Sequence, residues 1–334
     1  MPTGRYSDHD VEHYDRPRRR TRPRTKERPS YDDAPQGVVV TVDRGRFTLL
    51  VGGADGTTVT AMKARPLGRR GVVVGDRVRL DGDVSGDEGT LARIVEVLPR
   101  STTLRRTAED DDPVERVIVA NAEQLVVVTA LADPDPQPRL IDRALVAAYD
   151  AGLAPLLCLT KADLADPAPL LETYRALDVP HVVTQRGGDL GALRERLDGR
   201  VSVLLGSSGV GKSTLVNALV PDAGREVGVV NAVTGRGRHT STSAYLLPLP
   251  APLAGWIVDT PGIRSFGLAH VEPARLIGFF PDLEQLTEDC PRGCTHGTEE
   301  PECALDGAVA EGRADPARVA SFRRLLAARS EPVW

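Results

Sequence analysis

Residues 206–213 read Gly-Ser-Ser-Gly-Val-Gly-Lys-Ser, which fits the G-x-x-x-x-G-K-[ST] loop. The loop follows an apolar run, Val201–Leu205, and leads into Thr214–Val220, whose spacing predicts a helix. A strand, a glycine-rich turn and a helix in that order make a phosphate cradle. Glycine lets backbone N–H groups turn inward, and the helix N-terminus adds partial positive charge. Ser208, Gly209, Val210 and Gly211 would line the cradle, with Thr214 in the first helical turn. Lys212 would reach the β- and γ-phosphates, and the Ser213 hydroxyl would bind Mg²⁺.

About forty-five residues further on, Asp259-Thr260-Pro261-Gly262 follows the apolar run Trp256–Val258. A D-x-x-G at a strand end is a common turn. Downstream of a phosphate loop it has a function: Asp259 would hold the Mg²⁺ shell, and the Gly262 N–H would sense a γ-phosphate.

Thr160-Lys161-Ala162-Asp163 ends another apolar run, Pro155–Leu159, and resembles the N-K-x-D guanine motif. A carboxylate at Asp163 accepts two hydrogen bonds from guanine N1–H and N2–H₂, and adenine offers no such pair. An unpaired carboxylate under the wrong base is costly, so GTP and GDP are the expected nucleotides. Lys161 would lie over the ring and brace the phosphate loop. Thr160 stands where the motif has Asn, which predicts weaker contacts at the base edge and across the site. The second base-side motif should follow another strand. Val182-Val183-Thr184-Gln185 is the candidate and fits poorly, leaving Thr184 and Gln185 as weak assignments.

In most GTPases the phosphate loop comes first and the base motif late. Here Lys161 and Asp163 precede Lys212 by about fifty residues, so the order is circularly permuted. The chain just after Asp259–Gly262 then adjoins a C-terminal segment that can sense or constrain the switch.

Cys290-x₃-Cys294-x-His296-x₆-Cys303 supplies three thiolates and one imidazole. That is a closed tetrahedral Zn²⁺ set with no open position for chemistry, so one structural ion is expected. Cys158 lies inside an apolar run and reads as core. His181 and His270 have no partners in sequence.

These residues need elements to hold them. Alternating apolar runs and helical spacing from about residue 112 imply a parallel sheet with helices on both faces. The strands are Gln124–Leu131, Pro155–Thr160 and Val201–Leu205, and the helices include Arg139–Ala151 and Asp189–Leu197. Upstream, Gly37–Val42, Phe47–Val51, Thr57–Ala61, Arg77–Leu80 and Ala92–Val97 alternate with turn signals, as in a small oligonucleotide-binding (OB) type barrel. Arg65, Arg69, Arg70, Arg100, Arg105 and Arg106 would give it a basic face. Aromatic content is only 4%, so contact with nucleic acid would be to phosphate rather than by base stacking.

The expected organisation is a disordered basic tail (1–35), an OB-type RNA-binding barrel (36–104), a permuted α/β P-loop GTPase domain (105–272) and a mostly helical zinc-binding domain (273–334). Net charge is −5, yet residues 16–28 carry eight Lys/Arg against Glu27, leaving the rest at −12. Such an arm suits phosphate by counterion release, or is simply a solvated tail. No run approaches the length of a membrane span, and the N-terminus has no secretory apolar region. A cytoplasmic monomer without a membrane partner is expected.

Over residues 36–310 these motifs resemble the ribosome small-subunit-dependent GTPases, the RsgA/YjeQ family. The resemblance implies late maturation of the small (30S) ribosomal subunit, binding to its rRNA, and GTP hydrolysis coupled to release. Ile263 stands where Ras-type enzymes carry a water-orienting Gln. Gly235-Arg236-Gly237-Arg238-His239-Thr240-Ser241-Thr242 is similar to the family's G-R-H-T-T-T switch, with Ser at 241. The resemblance makes His239 the catalytic group that orients water and Thr240 a Mg²⁺ ligand; without it, His239 is an exposed loop histidine. The family's cysteine spacing is C-x₄-C-x-H-x₅-C, so Cys290 and Cys303 each rely on a loop to absorb one residue. The alternative function is a nucleotide-gated RNA-binding module in which hydrolysis is incidental.

Overall fold

The computed structural model describes residues 30–68, 71–107, 115–221, 244–260, 267–268 and 270–329. The tail through residue 29, Arg69, Arg70, His239, Thr240, Gly262 and Ile263 lie outside the described residues. By its contacts the chain divides after Asp32, and all the described strands and helices belong to the second unit.

Five strands open that unit: β1 Gln36–Asp43, β2 Arg46–Val51, β3 Thr57–Lys63, β4 Arg77–Gly82 and β5 Ala92–Val97. They close into a barrel in the order β1-β2-β3-β5-β4. Alternation supplies its core, since Leu49, Val59, Ala61, Val78, Leu80 and Ile94 are buried together. Closure removes both sheet edges.

β6 Thr103–Arg106 and β7 Arg116–Ala120 pair antiparallel and connect the barrel to the larger sheet. The expected boundary at residue 104 falls inside this pair. The barrel is pinned against it. A Cβ at Gly75 would lie 2.1 Å from the Ala120 carbonyl oxygen, and φ there is +85°, so only glycine allows the approach. The Asn121 side chain donates to the Gly75 carbonyl and accepts from the Ser101 N–H, both at 2.9 Å. Asp76, fully buried, receives a bidentate pair from Arg100 at 2.7 and 2.8 Å and the Val73 N–H at 2.8 Å. Arg100 is therefore committed to the barrel's own structure and leaves the expected basic face. Arg105 likewise pairs with Glu115 at 2.9 Å.

The remaining strands are β8 Gln124–Ala130, β9 Ala154–Thr160, β10 His181–Val183, β11 Arg200–Leu205, β12 Tyr245–Pro248 and β13 Gly255–Asp259. They form one sheet in the order β10-β9-β8-β11-β13-β12. β8 is buried along its whole length, as a parallel strand covered on both faces must be. The edge strand β12 departs from expectation, because it runs antiparallel to β13. Too few residues separate the two for a crossover, so a hairpin return is the available geometry.

Two helices, α1 Pro138–Asp150 and α2 Ala168–Tyr174, cover one face, and α3 Gly191–Leu197 and α4 Lys212–Leu219 cover the other. The C-terminal layer comprises α5 Pro273–Leu276, α6 Pro281–Glu284, α7 Ala304–Ala310 and α8 Pro316–Ala328. Asp315 caps α8 by accepting the Ala317 N–H at 2.9 Å. α8 packs on α1, where Arg324 pairs with buried Asp142 at 3.1 Å and buried Arg143 donates to the Ala328 carbonyl at 2.7 Å. Phe280 stacks edge-on against both Phe322 and Tyr149 beside them. No helix among the described residues is long and apolar enough to cross a membrane.

Removing one partner of a buried pair leaves an uncompensated charge. Arg100→Ala is expected to destabilise the chain by about 3–5 kcal/mol in urea unfolding. A loss below about 1 kcal/mol would mean that Asp76 reaches solvent after all.

Candidate functional site

The parallel strands β8, β9, β10, β11 and β13 all end at one edge of the sheet, where an open α/β sheet binds its ligands. The three sequence motifs leave from β9, β11 and β13 and so converge there.

The loop after β11 is seated from below. A Cβ at Gly206 would lie 2.5 Å from the Val128 carbonyl oxygen, so glycine is needed for the loop to cross β8 this closely. Val210 is buried in the core with Val128, while Ser208 and Gly209 stand exposed. Gly211 is the N-cap of α4, and Ser213 and Thr214 are exposed on its first turn.

Lys212 is buried, and its ammonium donates to the Asp259 carboxylate at 2.5 Å and to the Thr260 carbonyl. Thr260 in turn donates its hydroxyl to the Leu204 carbonyl at 2.7 Å, fixing the end of β13 against β11. Ser213 and Asp259 supply a hydroxyl and a carboxylate, hard oxygen donors that fit Mg²⁺.

On the other side, Thr160, Lys161 and Asp163 border a cavity of about 560 Å³ that also meets Gly209, Gly211 and Thr214. Motifs far apart in sequence thus share one cavity. Thr160 does not loosen the site as its departure from Asn predicted. Its buried hydroxyl donates to the Val210 carbonyl at 2.6 Å and ties the base motif to the phosphate loop. Lys161 reaches the Asp133 carbonyl and lies 3.9 Å from the Asp133 carboxylate. Its ammonium meets the segment after β8, whose Pro134 abuts Gly209, rather than the phosphate loop itself.

Thr184 and Gln185 both line the cavity despite their poor match to a motif. Thr184 is held by its N–H to the Leu159 carbonyl at 2.7 Å, and its own carbonyl accepts the Ala162 N–H at 3.2 Å. Sequence reasoning missed the adjoining wall, Arg186 to Leu190, together with Arg194. The signal was topological: the turn after β10 leaves from the same sheet edge.

The cysteine cluster forms a second site, between α6 and α7. The ligand atoms of Cys290, Cys294, His296 and Cys303 all lie within 4.8 Å of one another. His296 Nδ1 is 3.5 Å from the Cys290 and Cys294 sulfurs and 3.9 Å from that of Cys303. Tetrahedral zinc with ordinary bond lengths sets sulfur and nitrogen ligands about 3.6 Å apart, so the set fits the ion. The Cys290 sulfur, which the altered spacing put at issue, accepts the Ala304 N–H at 3.3 Å. Arg323 braces the site by donating to the His296 carbonyl at 3.1 Å while pairing with Asp306. Elsewhere, burial pushes the Cys158 thiol up to about 12, which leaves it an inert core residue. His181 is exposed, and His270 lies 3.9 Å from Asp150.

Comparison with known proteins agrees with this geometry. The RsgA GTPase family profile matches residues 97–269. The small ribosomal subunit biogenesis GTPase RsgA of Pseudomonas putida is 43% identical over 269 residues, covering 78% of this chain and 76% of its own. The chain belongs to the RsgA GTPase family. The RsgA protein of Azotobacter vinelandii is 42% identical over 79% of this chain and 76% of its own. The crystal structure of YjeQ from Thermotoga maritima matches with a TM-score of 0.64 at 27% identity, over 89% of this chain and 98% of that one. YloQ, described as a circularly permuted GTPase, matches in fold with a TM-score of 0.63 at 23% identity over 90% of this chain and 96% of its own. As an RsgA GTPase the chain is a GTP-hydrolysing enzyme with a permuted domain between a barrel and a helical layer.

The zinc fit has a direct check. Elemental analysis of purified protein should give about one zinc per chain, and chelation should lower the melting temperature. Metal-free protein that melts unchanged would refute the assignment.

Proposed function

We propose that this chain hydrolyses GTP in the late maturation of the small ribosomal subunit, and that hydrolysis is coupled to its release. The observation that carries the reading is the Thr160–Val210 bond, which joins a guanine-type motif to a phosphate loop. It occurs in a chain whose 43%-identical relative is named a small ribosomal subunit biogenesis GTPase.

In this reading Asp163 accepts the guanine N1–H and N2–H₂, and Thr184 and Gln185 close the base from the far wall. Backbone N–H groups of Ser208 to Lys212 hold the phosphates, with the Lys212 ammonium between Asp259 and the phosphate oxygens. Gly262 reads the γ-phosphate, and Thr214 supports the cradle from α4. Ser213, Thr240 and Asp259 would hold Mg²⁺, which when bound neutralises charge on the β- and γ-phosphates. His239 orients the attacking water, since Ile263 has no polar atom with which to do so.

Cys290, Cys294, His296 and Cys303 hold one structural zinc. We assign the division into a basic tail (1–35), barrel (36–104), GTPase domain (105–272) and zinc layer (273–334) on the same basis. The barrel and the arginine-rich tail contact rRNA phosphate, and the protein works as a cytoplasmic monomer.

GTP hydrolysis measured with and without purified small subunits tests the proposal. Strong stimulation is expected, and His239→Ala should abolish most of it, a loss on the order of 10²-fold or more for a water-orienting group. Stimulation that survives His239→Ala would remove His239 from catalysis and favour the nucleotide-gated RNA-binding module. GTP binding without any stimulation would contradict the small-subunit assignment.

A further inference from the structure

His270 carries a buried side chain that neither the nucleotide site nor the cysteine cluster uses. It stands in a short turn, in which the Leu268 carbonyl accepts the Val271 N–H at 2.9 Å. Leu268 and Val271 anchor that turn in the core. The His270 side chain is 4% exposed, and its Nε2 lies 3.9 Å from the carboxylate of Asp150, the last residue of α1. Asp150 also pairs with Arg275 of α5 at 3.2 Å. The other charges that act on the imidazole are Glu115 and Arg105 of the barrel connection and Arg329 beyond α8. The barrel connection, the helix layer of the GTPase sheet and the C-terminal layer thus meet around one histidine.

Packing alone does not account for an imidazole in this place. Its Nδ1 is buried and meets no hydrogen-bond partner among the described residues. An unpaired polar atom in the interior costs stability that a leucine would not. Burial also holds the imidazole below its usual range, so it is neutral at pH 7 and has one N–H to give. On the Nε2 side, Asp150 is about 1 Å beyond hydrogen-bond length. A small shift of the turn toward α1 completes that bond.

The turn lies close along the chain to the D-x-x-G loop. Thr260 is fixed to β11 through the Leu204 carbonyl at 2.7 Å, and Gly267 is fixed to the barrel connection through the Thr107 N–H at 3.1 Å. Only residues 261–266, with Gly262 and Ile263 among them, separate these two points. His270 stands three residues beyond the second. We propose that His270 is a positioning residue for hydrolysis, and that docking on the small subunit closes its bond to Asp150 and so sets the end of the D-x-x-G loop. A shift of about 1 Å near reacting groups is enough to change a rate a hundredfold. The inference rests on the reading that small subunits stimulate hydrolysis.

Steady-state GTP hydrolysis with purified small subunits, beside calorimetric GDP binding, tests it on the full chain. His270→Leu removes the N–H and fills the space. Its stimulated kcat should fall by about tenfold or more, with KM for GTP and GDP affinity unchanged. His270→Gln places an amide N–H near the position of Nε2 and should recover the rate to within about threefold of the natural chain. Should His270→Leu not fold, His270→Asn, polar but too short to reach Asp150, carries the same expectation of a lower kcat.

Full stimulation in the leucine variant would overturn the proposal. So would a loss of GDP affinity that matches the loss of rate, since the histidine would then support the folded nucleotide site as a whole. A glutamine variant as slow as the leucine variant would overturn it too. A natural chain that small subunits do not stimulate would instead sink the reading on which it rests.

Discussion

Every function proposed for this chain depends on one constraint, the shared direction of adjacent parallel strands. Because β8, β9, β11 and β13 run the same way, each delivers its following loop to the same edge. Chain order does not enter. A base motif that precedes the phosphate loop still lies beside it, as the Thr160 hydroxyl on the Val210 carbonyl records. Permutation therefore leaves the site intact and moves only the points at which other layers attach.

Those attachment points explain the charges buried outside the site. Asp142 and Arg143 lie on the side of α1 that an isolated GTPase domain would turn to water. Here α8 covers them, and each finds a partner in that layer: Arg324 for Asp142, the Ala328 carbonyl for Arg143. Burial holds the Asp142 carboxyl above its usual range, with Arg324 opposing the shift. Beyond β13, the Gly267 carbonyl accepts the Thr107 N–H at 3.1 Å and the Val271 carbonyl accepts from Arg329. The chain after Asp259–Gly262 is thus tied both to the barrel connection and to the last helix.

Local signals carried much of this in the sequence. The barrel's short apolar runs alternate with turn signals, and the phosphate loop's glycines, Lys212 and Ser213 sit between a strand and a helix. The Cys/His cluster was legible despite altered spacing, since the loops between Cys290, Cys294 and Cys303 still bring the ligand atoms within 4.8 Å of one another. What sequence concealed was long-range. Arg100 looked like a free surface cation because its partner Asp76 is buried by the fold of the barrel. The antiparallel edge strand β12 was not read from sequence, because its pairing depends on the short return to β13. The cavity wall from Arg186 to Leu190 carries no motif and belongs to the site only through the place of β10 in the sheet. Thr160 looked like a defect because its acceptor, a backbone carbonyl, has no sequence signature.

Calorimetric binding of GDP and XDP to the natural chain and to Asp163→Asn tests the proposal that Asp163 selects guanine at a site shared with the phosphate loop. A carboxylate accepts from the guanine N1–H and N2–H₂, whereas an amide can donate to the oxygen that xanthine carries at that position. The natural chain should prefer GDP, and Asp163→Asn should prefer XDP. An Asp163→Asn variant that keeps full affinity for GDP would contradict it.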